Sequence, residues 1–157
     1  DETYIKVQGE WCYLYRAVDK AGKTIDFMLS LTRDKSAAKS FFKKALGSSG
    51  IPEKITIDKS DANKAGIHSM NILLLLLALL GFPFFNILIR QVKYLNNIVE
   101  QDHREIKRIV KPMLGFKAFH SAEATLAGIE LHRMLRKKQH KDSENQSIFQ
   151  QFYALAA

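Results

Sequence analysis

From Asn71 to Ile89 the chain carries no charged residue, and Leu73 to Leu77 is an unbroken leucine run. About 18 or more such residues can cross a bilayer as one helix, so this segment decides between a membrane protein and a soluble domain. Against a span stand Asn71, Gly81, Pro83 and Asn86 inside the run. Lys64 on one flank and Arg90 and Lys93 on the other give no inside-outside bias. The alternative divides the segment into a buried helix to about Leu80, a turn at Gly81-Phe-Pro83 and a short strand around Leu88 to Leu95. Periodicity does not choose between the two, because a continuous apolar run suits either.

The residues before this run read as alternating α and β structure. Residues 3–7, Trp11 to Val18 and Thr24 to Leu31 are rich in aromatic and β-branched residues and are separated by turns at Gly9 and Gly22, which predicts an antiparallel meander. Trp11, Tyr13 and Tyr15 alternate onto one side of the second strand and are expected to be core or sheet cover rather than a stacking platform for bases. From Asp34 or Ser36, apolar residues recur at helical spacing (Ala37, Ala38, Phe41, Phe42, Ala45 and Leu46) until Gly47-Ser-Ser-Gly50 ends the helix. A strand, Lys54-Ile-Thr-Ile-Asp58, then terminates in an acid, with a helix from about Ala62. A carboxylate at the carboxyl end of a buried strand lies where open α/β sheets place their ligands. Asp58 serves equally well as the cap of the following helix.

Beyond the apolar run, Tyr94 to Met113 predicts an amphipathic helix. Positions 100, 103, 104, 107, 108 and 111 fall together, giving a polar face of Glu100, His103, Arg104, Lys107, Arg108 and Lys111, while Leu95, Val99, Ile106, Ile109, Val110 and Met113 face a core. One acid at the head of a basic stripe suits a metal ligand beside a phosphate track. A solvated helix with charge pairs such as Glu105 with Arg108 explains the same residues. A connector through Lys111-Pro112 and Gly115-Phe-Lys117 leads to a helix from Ser121 with core positions Ala122, Leu126, Ile129, Met134 and Leu135. Its basic end, Arg133, Arg136, Lys137 and Lys138, fits either helix-dipole compensation or a phosphate patch. Residues 140–146 read as a polar linker, and Ile148 to Leu155 as an amphipathic tail that docks on the body or on another copy.

A chain of 157 residues suits one domain. Its net charge of +8, concentrated from Arg90 to Lys141, favours nucleic acid or an anionic membrane as partner. The single cysteine, Cys12, excludes an internal disulfide and any cysteine-based zinc site, which fits a reducing, cytoplasmic setting.

The order of strands and helices is that of an RNase H-like α/β sheet. Asp1-Glu-Thr-Tyr-Ile-Lys-Val7, Trp11-Cys-Tyr-Leu-Tyr-Arg-Ala-Val-Asp19, Ile55-Thr-Ile-Asp-Lys59, Arg90 to Arg104 and Met113-Leu-Gly-Phe-Lys117 together resemble the catalytic domain of bacterial DDE-type insertion-sequence transposases of the IS-six group. The resemblance covers nearly the whole chain. It implies an integrase-like mixed sheet flanked by helices over residues 1–138, with 139–157 as linker and tail. It further implies Mg²⁺-dependent strand cleavage and transfer on DNA, with transposon ends and target as partners, a homo-oligomer, no small-molecule substrate, and a bacterial, nucleoid-associated location. Asp1, Asp58 and Glu100 would hold two Mg²⁺ ions, with Mn²⁺ able to substitute, and Arg104, Lys107, Arg108 and Lys111 would follow the DNA backbone.

Three departures qualify the resemblance. No helix-turn-helix segment precedes Asp1, so the chain is expected to be a truncated piece. More residues separate Asp58 from Glu100 than is usual in the group, the excess lying in the leucine-rich run. A free α-ammonium on Asp1 would oppose metal binding. An inactive copy, a non-catalytic DNA-binding remnant and a small membrane protein spanning about 71–89 are therefore the competing expectations.

Overall fold

The computed structural model describes residues 1–92, 97–140 and 145–156. Tyr94 and Leu95, placed by sequence at the strand end and on the apolar face of the next helix, lie outside the described residues, as does most of the expected polar linker.

Strands β1 (Glu2–Val7), β2 (Glu10–Val18) and β3 (Thr24–Ser30) form the expected meander, with Tyr4 opposite Tyr13 and Tyr15 opposite Met28. Alternation sends Leu14 to one face and Tyr15 to the other, and both are fully buried. On the Tyr15 face pack α1 (Lys35–Ser49) and α2 (Asp61–Leu79), through Phe41, Phe42, Ile67 and Met70. On the Leu14 face pack α3 (Asn97–Val110) and α4 (Phe119–Arg136), through Ile106, Ala122 and Leu126. A sheet covered on both sides is the mixed α/β arrangement expected from the sequence. Of the three alternating aromatics, Tyr15 is core, Tyr13 is half-buried, and Trp11 is 57% exposed against Tyr4 on the outer surface.

Strands β4 (Lys54–Ile57) and β5 (Leu88–Gln91) make a separate two-stranded parallel sheet, with Lys54 opposite Leu88 and Ile57 opposite Gln91. Side chains join it to the meander: Asn63 of α2 donates through Nδ2 to Glu2 at 2.8 Å and to Asp58 at 3.4 Å. The expected single sheet is thus two sheets meeting where β1 begins and β4 ends. Past α3 the chain runs through a 3-10 turn at Lys111–Met113 to Phe116, whose N–H donates to Lys6 O and whose carbonyl accepts from Gln8 N–H along the edge of β1. A short α5 (Ile148–Ala156) packs on α4, so the tail docks on the body.

The apolar run is divided, not continuous. α2 stops at Leu79, Gly81 takes a φ of 92° in the turn that follows, and β5 pairs with β4. This corrects the expectation of one span over 71–89: Pro83 lacks an N–H for a helix ladder and Leu88–Gln91 is committed to a strand. α2 alone is long and apolar enough to cross a membrane by length and composition, but its first half is locked against α1. Gly66 permits that lock, since a Cβ there would lie 3.0 Å from the Ala38 Cβ.

A second correction concerns burial. The leucines were expected in the core, yet only Asn63, Gly66, Ile67 and Met70 of α2 are buried, at the spacing of one helical stripe. Beyond Met70 the helix is leucine on every side. Leu76 is 53% exposed and Leu79 75%, continuous with exposed Phe82 and Phe84. Replacing Leu76 and Leu79 with lysine together is therefore expected to shift the urea unfolding free energy by no more than about 1 kcal/mol. Removing buried leucines would cost about 2–5 kcal/mol each, a loss that would return the run to the core.

Candidate active site

Asp1 stands at the head of β1, its backbone exchanging hydrogen bonds with Arg16 of β2: Arg16 N–H donates to Asp1 O at 2.8 Å, and the Asp1 nitrogen to Arg16 O at 3.1 Å. Asp58 follows β4 directly. Its Oδ1 accepts the Ser60 N–H at 3.1 Å, which closes a tight turn, and the cap of α2 is Ser60, whose hydroxyl accepts from Asn63 N–H at 3.4 Å. Asp58 is thus not the helix cap that sequence left open. Asp1, Glu2 and Asp58 present carboxylate oxygens that all lie within 4.8 Å of one another. Arg33, from the loop before α1, pairs with Glu2 and places Nη2 3.7 Å from Asp58 Oδ2. Partial burial alone would lower the pKa of this guanidinium, but the charge and hydrogen bond of Glu2 raise it.

Glu100 occupies the first turn of α3 and is exposed. It is not part of the close carboxylate group, but it shares a cleft of about 300 Å³ with Asp1, Glu2, His103, Arg104 and Lys107. Asp1 is therefore the junction: it meets Asp58 on one side and shares the cleft with Glu100.

His103 departs from the exposed polar face expected of it. It is 6% exposed, and its Nε2 has no hydrogen-bond partner among the described residues. Burial, followed by the charge of Arg16, drops its pKa to about 3, so the imidazole is neutral at physiological pH. The apolar face is narrower than expected as well, since Ile109 and Met113 are exposed.

The four basic residues do not form one uniform track. Arg104 and Lys107 line the carboxylate cleft, whereas Arg108 pairs with Glu105 at 3.1 Å with both side chains largely in water. That surface pair, anticipated by the plain helix reading, contributes a few tenths of a kcal/mol. Lys111 is exposed at the start of the 3-10 turn.

A buried ionic network, not legible in the sequence, fastens α3 in place. The fully buried Arg16 donates from Nε to Glu130 at 2.5 Å, and from Nη2 to Glu130 at 3.0 Å and to Asp102 at 2.6 Å. Asp102 also accepts from Arg133 and from Lys137, the latter at 2.8 Å. Burial resists ionisation of Asp102, but the Lys137 hydrogen bond and the Arg16 and Arg133 charges outweigh it and hold the carboxyl below its usual range. Two members of the basic end of α4, Arg133 and Lys137, are thereby spent inside the protein. Only the pairing of an arginine with acids on otherwise apolar faces could have signalled this.

Comparison with known proteins gives this geometry a family. The profile of the DDE domain of IS240-type transposases matches residues 1–139. The chain belongs to that family. It is 37% identical over 138 residues to a transposase for the insertion sequence-like element IS431mec of Staphylococcus aureus, covering 88% of this chain and 57% of the relative. The same figures hold for a Staphylococcus aureus transposase for element IS257 in transposon Tn4003. The chain thus spans little more than half the length of the curated relatives it matches. In three dimensions it overlays on a chain of a simian T-cell lymphotropic virus intasome complex with a TM-score of 0.48 and 16% identity, covering 99% of this chain and 45% of that one.

The donor set of this DDE domain fits a hard divalent cation. All the clustered ligand atoms are carboxylate oxygens, the donor type a hard divalent cation prefers, and they lie within 4.8 Å of one another.

Proposed function

We propose that this chain is the catalytic domain of a bacterial insertion-sequence transposase, cleaving DNA strands and joining their 3′ ends to target DNA with Mg²⁺. The observation that carries the reading is the meeting of Asp1 and Asp58 from two strands at one acidic point, with Glu100 entering the cleft that Asp1 lines. In this reading Asp1, Asp58 and Glu100 hold the cations. Bound Mg²⁺ would supply activation of a water or 3′-hydroxyl and stabilisation of the leaving oxygen. The chain's own part is placement: β1 and β4 fix two carboxylates, α3 brings the third, and Arg104 and Lys107 set positive charge beside the strand to be cut. Arg108 and Lys111 extend contact along the backbone. The setting is the bacterial cytoplasm, with element ends and target DNA as partners and a multimeric assembly holding them. Family membership and the net charge of +8 support DNA as the substrate.

The reading is tested by giving the full-length parent protein a labelled DNA fragment carrying its element end, with Mg²⁺ or Mn²⁺. New 3′ ends and joined target strands support it, and intact substrate under both ions contradicts it. Replacing Lys107 and Arg108 with alanine together is expected to weaken DNA binding about equally for all sequences. It should also flatten the dependence of log K on log salt by close to two phosphate contacts, read by fluorescence anisotropy between low and moderate salt. An unchanged slope would take both residues off the DNA path.

A further inference from the structure

Arg33 is the one cation whose side chain reaches two of the three clustered carboxylates among the contacts described. It lies between β3 and α1, immediately before Asp34, whose carboxylate accepts the Ala37 N–H and fixes the start of the helix. Its guanidinium is spread over three partners: Nε on Glu2, Nη1 3.4 Å from the Tyr4 hydroxyl, and Nη2 3.7 Å from Asp58. Glu2 is buried, with 2% of its side chain exposed, and its second oxygen accepts from Asn63 at 2.8 Å. Both oxygens of Glu2 are therefore engaged by protein donors. Turning that carboxylate to a metal ion would break its bonds to Arg33 and Asn63. Asp58 is differently placed: the Arg33 contact is long and its side chain is partly open to solvent.

We propose that Arg33 is a positioning residue of the carboxylate site, holding Glu2 out of the metal-ligand set and competing with the divalent cation for Asp58. The inference rests on the metal-binding reading given under Proposed function and adds to it what sets the affinity. A fixed positive charge about 4 Å from a ligand oxygen opposes an incoming cation, and solvent reduces but does not abolish that opposition. Arginine suits the role because its planar fork serves Glu2 and Asp58 at once, which a lysine ammonium on a single point cannot do.

The test is calorimetric titration of the purified chain with Mn²⁺, for the parent and for R33Q, R33K and D58N. Removing the competing charge in R33Q is expected to tighten Mn²⁺ binding on the order of tenfold. R33K keeps a cation for Glu2 but lacks the fork, and is expected to tighten it about threefold; it serves if R33Q does not fold. Thermal unfolding with and without Mg²⁺ gives a second readout. The Mg²⁺-induced rise in Tm should be larger in R33Q, because the clustered carboxylates then depend on the ion for neutralisation. Equal or weaker Mn²⁺ binding in the folded Arg33 variants, alongside lost binding in D58N, overturns the role of Arg33 and leaves the metal site standing. Binding undiminished in D58N overturns both.

Discussion

If the proposed function holds, Glu100→Gln in a full-length protein carrying this domain is expected to lower metal-dependent cleavage and strand transfer by at least about a thousandfold while leaving DNA affinity within about twofold, as befits loss of a group acting on the transition state. Gln keeps the shape and the first-turn position on α3 and loses only the charge that a hard cation requires. On the proposed reading DNA binding survives because the proposed backbone contacts Arg104, Lys107, Arg108 and Lys111 are untouched, and Arg104 and Lys107 reach the same cleft from the next turns. Labelled element ends resolved on denaturing gels read the chemistry, and anisotropy reads the binding. Full activity in the variant would remove Glu100 from the site and leave Asp1 with Asp58 alone.

Arg16→Ala is expected to cost roughly 3–5 kcal/mol of folding stability. That is a large part of the about 5–15 kcal/mol available to a domain. The reason is what the deletion leaves behind: Glu130 is fully buried and loses the partner to which both its oxygens are bonded. Arg16→Met combined with Glu130→Leu, which removes both charges, should recover much of the loss. The network also carries a pH signature. The carboxyl of Asp102 is held below its unfolded value, so its contribution is complete above the unfolded pKa of about 4 and disappears as pH falls through the lower folded value. Acid titration of stability should therefore fall less steeply below about pH 4 in Arg16→Ala than in the parent. Identical acid limbs would mean that Asp102 draws its stabilisation elsewhere.

The network bears on function through geometry. Arg16 pairs by its backbone with Asp1 and by its side chain with Asp102, two residues beyond Glu100. One buried residue thus ties the strand that carries one acid to the helix that carries another. Nothing in the periodicity of α3 pointed to this. His103 read as part of the polar helix face and Asp102 drew no reading at all, because sequence patterning treats polarity as exposure and cannot see a partner arginine on a distant strand. The meander, the strand ending in Asp58 and the helix bearing Glu100 were legible, since alternation, β-branched runs and amphipathic spacing report local structure directly. Asp1, Asp58 and Glu100 came from likeness to a family rather than from spacing. Glu2 and Arg33, which lie between them, carry no pattern of their own.

The apolar run divides as one of the two sequence alternatives had it, into helix, turn and strand, but the burial expected of its leucines fails for a different physical reason. With leucine on every side there is no stripe to mark a face, and composition alone suggested a core or a span. Only the lock of Ile67 and Met70 on α1, and the pairing of β5 with β4, show where the chain has to go. The exposed leucines and phenylalanines lie in the helix and turn beyond that lock.

The most direct measurement is saturable Mn²⁺ binding to the purified chain, followed by electron paramagnetic resonance, with Asp58→Asn and Glu100→Gln beside it. Binding in the parent that is lost in Asp58→Asn and sharply weakened in Glu100→Gln is the predicted result, and places both acids on one cation site. Binding that is absent in the parent, or indifferent to both substitutions, would contradict the account.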